Sequence, residues 1–469
     1  MVINPSIMRS ITTQDGGSNT RRFLSRRTVL AGSAAALTTG LAGCAGLTGG
    51  SSNSGDTGNA GGSGPTEIEY WMYFGAQEKR EMTKLVEDFN SKHDDIRVKA
   101  QSVPFGSFLD KLFTSVNSKN APHVASYYGS YGRYLRPICH PVDQYLSQGT
   151  GDEYFDIAWS NLQVEDKTYA LPIDVHGKAL YTNDAVMEKA GLDPKREFKD
   201  WESFSQACST IKSETDARPF SFLNWNAGQA AFRTYLIALT QAGGSVLEGK
   251  PGSFEVTYDD ATGVETAEMM ASITGDLGWD TPTFQSDSAR VKDFIGDRLG
   301  MFIAGTWSTN NFENENGKIP DDLSFHFKKP FMFPGDGEDV AWAESNSLYF
   351  PKNPNHTEAE KRAAVKFAEY VTQNNYLWAS AGGHLPAAKE VATSKKVKNT
   401  KLWKEFGTIS TMYDMVKNKQ VRYQPKTNIH LNSPKFWSPF IDLYLHNVEP
   451  KKAVTTSAET LRQALAQQR

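Results

Sequence analysis

The chain has 469 residues, 39% of them hydrophobic and 12% aromatic, with a formal net charge of −4 and three cysteines. That length supports two domains with more than one sizeable core. The mildly acidic balance gives nucleic acid no basic footing, and so few cysteines exclude a disulfide scaffold or a cysteine-rich metal site.

At the start, Ser25-Arg26-Arg27-Thr28-Val29-Leu30 opens an apolar stretch that closes at Leu41-Ala42-Gly43-Cys44. A positively charged head, an apolar run and small residues before a cleavage point make a secretory signal. The paired arginines resemble a twin-arginine export tag, and Leu-Ala-Gly-Cys resembles a lipobox. Residues 1–44 are therefore expected to be a signal segment, with Cys44 carrying the lipid of the mature chain. Thr28 to Gly43 is short for a membrane span and rich in Ala, Gly and Thr. Residues 45–65 are dominated by Gly, Ser, Asn and Thr, too little apolar surface to offset ordering entropy, and predict a flexible tether. Removing the first 44 residues takes five arginines against Asp15 and moves the net charge to about −8. No run in 66–469 is long and apolar enough to cross a membrane, so the lipid is expected to be the anchor.

In the body, alternation at Ile68, Tyr70 and Met72 predicts a strand, and Met82, Leu85, Val86 and Phe89 share a helical face. Ile96 to Ala100 predicts a second strand, Phe105 to Val116 a helix, and Pro122 to Tyr128 a third strand. Such alternation implies an α/β fold with a parallel sheet covered on both faces. Ligands of such sheets bind at the carboxyl ends of strands, which points to Phe74-Gly75-Ala76-Gln77 and Gly129-Ser130-Tyr131-Gly132. Asp200 is placed to N-cap a helix over Trp201–Lys212, and Gly243-Gly244 to stop a helix over Gly228–Ala242. Met301 to Ala304 predicts a strand, and Glu358 to Thr372 a late helix. Cys139 and Cys208 either pair or remain as buried thiols.

Thr168-Tyr169-Ala170-Leu171-Pro172-Ile173 runs into Ala179-Leu180-Tyr181-Thr182-Asn183, then Lys189-Ala190-Gly191-Leu192 and Trp201-Glu202-Ser203-Phe204. With Gly300 to Trp307, Phe367-Ala368-Glu369-Tyr370-Val371 and Gly382-Gly383-His384-Leu385-Pro386, these segments resemble the maltose-binding-like, carbohydrate-associated solute-binding proteins of ABC importers. The resemblance implies a two-lobed, type II periplasmic-binding-protein-like fold, with ligand in a cleft between hinge-linked lobes. Lobe 1 would comprise 66–174 and 306–350, and lobe 2 175–305 and 351–469. Chain crossings would fall near Asp174–Lys178, Ile303–Trp307 and Phe350. The partners implied are a small solute, carbohydrate by class, and ABC permease subunits; a monomer without cofactor or metal is expected.

The resemblance also nominates ligand-binding residues. Trp307 follows a strand across Gly305, and aromatic faces suit the C–H face of sugar rings; packing in a lobe core is the alternative. Tyr127, Tyr128, Ser130 and Tyr131 match a contact loop, or divide between core and surface. Asp174 and His176 follow the Leu-Pro element, although a histidine there is unusual for the family. Asn224, Trp225 and Asn226 precede a helix and suit either ligand contact or capping and core roles. Gly75 and Gln77 would let a helix N-terminus approach ligand, or serve an ordinary loop. Glu344 and Asn346 occupy a turn where the family has glycine, and Gly383 and His384 match a second turn.

A secreted carbohydrate-active enzyme would share the aromatics and needs two carboxylates, for which Asp174 and Glu344 are the candidate pair. The sequence has no Gly-x-Ser-x-Gly elbow, His-Glu-x-x-His motif or phosphate-binding loop. A same-fold binder of a polyamine, metal chelate or glycerophosphodiester would favour charge, and Arg133 and Arg136 leave an anionic ligand open.

Overall fold

The computed structural model describes residues 64–222, 227–283, 286–313, 319–329 and 333–467. Cys44, the signal segment, residues 45–63 of the expected tether, and Asn224, Trp225 and Asn226 lie outside these residues.

Two sheets organise the described chain. The first begins with β1 (Thr66–Met72), whose helix α1 (Ala76–Lys92) leads to β2 (Ile96–Ser102), and helix α2 (Phe105–Asn117) leads to β3 (Val124–Tyr128). Both neighbours of β1 run parallel to it, as the alternation requires. Ile68, Tyr70, Val98 and Val124 are buried under Phe89 of α1.

β4 (Ala170–Pro172) closes the far edge of this sheet, and the next residues enter β5 (Asp174–Asn183), a ten-residue strand buried along its whole length. β5 is the spine of the second sheet. Around it stand helix α3 (Trp201–Glu214), β6 (Arg218–Ser221), helix α4 (Ala227–Gln241), β7 (Leu299–Gly305), β8 (Phe325–Lys328) and β9 (Ala341–Glu344). β7, β8 and β9 all pair antiparallel with β5, and β6 pairs with β7. Asp200 caps α3 through a bond from the Ser203 amide at 2.7 Å, as expected, and Gly243 ends the turn after α4 at a φ of +89°.

One residue after β9, β10 (Asn346–Tyr349) returns to the first sheet between β3 and β4. Helix α5 (Glu358–Asn374) then covers that sheet, with Phe367 5.4 Å from Tyr70 and 5.3 Å from Phe89 between ring centroids. Helix α6 (Tyr376–Ala381) leads to β11 (Leu385–Pro386), which pairs with the start of β5, and β12 (Val421–Arg422) pairs with β9.

The two sheets divide the chain differently from the segments expected for the lobes. Residues 306–350, expected with the first lobe, carry β8 and β9, which belong to the second sheet. Phe325 and Phe327 hold this segment there by packing on Tyr181. Residues 351–469, expected with the second lobe, include α5, whose apolar face belongs to the first sheet. The sheet-to-sheet passages lie at 172–174, 344–346 and 375–385, whereas the expected crossing at Ile303–Trp307 stays beside the second sheet because Phe312 packs against Phe294 and Phe302. Cys139 and Cys208 are buried and free, and no described helix is long and apolar enough to cross a membrane.

Candidate ligand cleft

The first two passages run side by side. β4 ends at Pro172 and β5 starts at Asp174, while β9 ends at Glu344 and β10 starts at Asn346. Every polar group on these four positions is therefore placed at the junction of the sheets.

Asp174 is fully buried and accepts from five donors. They are the Asn346 backbone N–H (2.9 Å), the Asn346 side-chain amide (2.7 Å), the Trp378 indole (2.5 Å), and Nδ1 of His176 and of His384 (2.9 Å each). Burial alone would raise its pKa, but the charge and hydrogen bonds of His176 and His384 hold it well below the usual carboxylate range. Burial pushes His176 down to about 4 despite the pull of Asp174. A neutral imidazole that donates from Nδ1 keeps an accepting lone pair on Nε2. His384 Nε2 is buried without a hydrogen-bond partner.

Gly383 makes this turn possible. Its φ is +64°, and a Cβ there would lie 2.4 Å from the Thr306 carbonyl oxygen. His384 is thereby brought over the His176 ring, with centroids 4.8 Å apart. Asp174, His176 and His384 offer ligand atoms within 4.8 Å of one another, enough to consider a cation. Their arrangement turns both Nδ1 groups onto the carboxylate and stacks the rings at 27°, so the carboxylate serves as a hydrogen-bond acceptor.

Glu344 forms the second buried carboxyl. It accepts from the backbone N–H of Ser130 and of Ser345, both at 3.0 Å, and from the Ser130 hydroxyl. Burial, only partly offset by these bonds, pushes it up to about 7. Asn346 Oδ1 accepts from the Tyr73 hydroxyl, and Ser345 Oγ lies 2.6 Å from the Tyr423 hydroxyl.

Aromatic rings surround these groups. Trp307 is half-buried, with its ring 5.4 Å from His176, 6.2 Å from His384 and 6.3 Å from Trp342. Gly305 permits this pose, since a Cβ there would sit 2.2 Å from the indole. Tyr128 lies 6.1 Å from His176. Arg233, on α4 and 4% exposed, places its guanidinium 4.0 Å from the Trp342 centroid and 5.5 Å from that of Tyr128.

Of the nominated residues, Tyr128, Ser130, Asp174, His176, Trp307, Glu344, Asn346, Gly383 and His384 thus gather at the junction. Tyr127 and Tyr131 are buried in the first sheet's aromatic cluster, 5.1 Å apart, with Tyr131 reaching His430 at 5.1 Å. Gly75 is exposed at the start of α1, and Gln77 donates to Glu313 at 2.8 and 3.0 Å. Arg133 and Arg136 both pair with Glu165.

Sequence reasoning missed Tyr73, Arg233, Trp342, Trp378 and Tyr423, and also Gln424 and Asn432, whose side chains meet the Tyr131 hydroxyl. A signal existed for Arg233, the one charged residue in the otherwise uncharged α4.

The sequence profile of the bacterial extracellular solute-binding proteins matches residues 84–405. The chain belongs to this family. Among curated relatives, the arabinooligosaccharide-binding protein of Bacillus subtilis (strain 168) is 23% identical over 219 residues, 45% of this chain and 48% of that protein. An ABC transporter extracellular-binding protein of Pyrococcus horikoshii is 22% identical, over 54% and 58% of the two chains. This chain thus spans about half the length of the first curated relatives it matches.

Among solved structures, the cyclic α-maltosyl-1,6-maltose binding protein of Arthrobacter globiformis superposes with a TM-score of 0.70 at 19% identity, covering 86% of this chain and 99% of that one. An ABC transporter solute-binding protein of Thermotoga lettingae, bound with α-D-tagatose, gives 0.70 at 19%, covering 85% and 100%. The fold is therefore that of the maltose-binding-like, type II solute-binding proteins.

Proposed function

We propose that the protein captures a sugar or oligosaccharide outside the cytoplasm and delivers it unchanged to an ABC permease. The observation that carries this reading is the meeting of aromatic faces with planar polar groups where the two sheets join. Trp307 and Tyr128, both half-buried, offer faces suited to the C–H surface of a sugar ring. His384 Nε2 is buried without a hydrogen-bond partner, and a sugar hydroxyl would satisfy such a group. Relatives of this fold bind arabinooligosaccharide, cyclic maltosyl-maltose and tagatose.

In this reading the lobes follow the sheets, and the passages at 172–174, 344–346 and 375–385 are the hinges. Ligand that touches both lobes favours their closure, and the permease recognises the closed form. The Gln77 to Glu313 bond, from the first sheet's α1 to the segment after β7, is a closure contact. Cys44 carries the lipid, residues 45–65 form the leash, and the paired arginines direct export.

The enzyme alternative draws on Asp174 and Glu344, whose ionisation is split as in an acid–base pair. Asp174, however, already serves five protein donors, which suits a structural anion better than a nucleophile or base. Thermal-shift screening of the protein against a saccharide panel, with chromatography of each hit, tests the proposal. Stabilisation with full recovery of intact sugar is expected; turnover of a hit, or stabilisation by non-sugars alone, would contradict it.

A further inference from the structure

The Arg233 guanidinium stands out at the junction as a buried charge. It is 4% exposed, yet Nε and Nη2 have no hydrogen-bond partner. Among the described residues no ion pair joins it to a carboxylate. Arg218, by contrast, lies 3.5 Å from Asp280 and 3.3 Å from Asp293. The carboxyl that feels the Arg233 charge is Glu344, and the bonds of Glu344 go to Ser130 and Ser345. Asp174 is occupied by its five donors.

The unpartnered atoms also form a specific edge. Nε–H and an Nη2–H of one guanidinium point in parallel, the fork that receives the two oxygens of a carboxylate or an ester anion. The Trp342 indole supports one face of that fork, and its own Nε1–H is a further buried donor without a partner. Arg233 Nε and Nη2 and Trp342 Nε1 are thus three buried donors without partners, and a buried cation calls for an opposite charge.

We propose that the saccharide bound in this cleft is acidic, with its anionic group seated on the Nε–Nη2 edge of Arg233. The surface arginines that first kept an anion open, Arg133 and Arg136, play no part, since Glu165 already pairs with both. This inference rests on the saccharide reading above and narrows it to uronate-type or ester-bearing sugars. A carboxylate and a sulfate or phosphate ester share the chemistry that the fork recognises.

The test is calorimetric titration of the full chain with matched sugars. Glucuronate, galacturonate and their oligomers are compared with the neutral parents, and a sulfated and a phosphorylated parent distinguish the ester sources. Acidic members are expected to bind at least tenfold more tightly than their parents. In Arg233→Gln that ratio should fall toward one, and Arg233→Lys should recover only part of it. Equal or tighter binding of the neutral parents by the native protein would overturn the acidic assignment and leave the saccharide reading standing. Binding by no sugar of either kind would overturn both. The native comparison decides the matter even if a variant fails to fold.

Discussion

Asn346 grips Asp174 twice, its backbone N–H donating to Oδ1 at 2.9 Å and its side-chain amide to Oδ2 at 2.7 Å. The two residues begin β10 and β5, so this pair laces together the two strands that carry the chain between sheets. An asparagine at 174 would lose the charge and turn an amide N–H₂ toward at least two of the five donors. Asp174→Asn is expected to destabilise the protein by about 3 kcal/mol, the cost of leaving buried partners unmatched. Urea denaturation of the two proteins would measure it, and an unchanged midpoint would deny the junction its role.

Trp307 is expected to act on ligand more than on stability. Its ring is half-buried at the junction, whereas Trp437 is fully buried against Phe232 with centroids 4.0 Å apart. Trp307→Ala should weaken saccharide binding at least tenfold, about 1.4 kcal/mol, with a small change in denaturation midpoint. Trp437→Ala should instead cost about 3–5 kcal/mol of stability.

Much of the fold is legible in the sequence because periodicity reports burial. Ile68, Tyr70 and Met72 alternate into one core, and Phe367, Ala368 and Val371 share one face of α5. The division between sheets is not legible in the same way. β8 alternates Phe325 and Phe327 with His326 and Lys328, and β9 is Ala-Trp-Ala-Glu, patterns that would suit either sheet, and only pairing with β5 assigns them.

The site divides similarly. Asp174, His176, Glu344 and Asn346 are polar residues among apolar strand neighbours, so they stand out, and Gly383-His384 follows a helix end. Trp342, Trp378, Tyr423, Gln424 and Asn432 have no local pattern to separate them from core or loop. Their role comes from distant chain segments meeting. Arg233 could have been found, since a lone charge on a helix that buries Phe232, Tyr235 and Leu239 needs a reason.

Two buried groups should tilt stability with pH in opposite directions. Glu344 rises from an ordinary 4.5 to about 7 on burial, so its folded form prefers the proton, and stability is lost as pH climbs from about 4.5 to 7. Burial lowers His176 from 6.5 to about 4, so its contribution is full above 6.5 and is lost as pH falls toward 4. Relative to the native protein, Glu344→Gln should therefore gain stability with rising pH, and His176→Gln should gain it with falling pH. Each unit of displaced pKa corresponds to about 1.4 kcal/mol. Denaturant midpoints taken from pH 4 to 8 would show the two opposed trends, and parallel curves would contradict them.

The proposed anchor and export route are separable. Cys44→Ala should release the exported protein from the membrane fraction without altering ligand binding. Replacing Arg26-Arg27 with Lys-Lys should block export if the twin-arginine reading holds; normal export would refute that reading and leave the lipid anchor untouched.

The central claim is that this family member holds a saccharide between its lobes and returns it intact. Small-angle scattering during titration with the best saccharide from the panel, followed by chromatography of the released sugar, tests it most directly. A saturable contraction with unaltered sugar is the predicted result. Saturable binding with no contraction, or recovery of a cleaved or modified sugar, would contradict it.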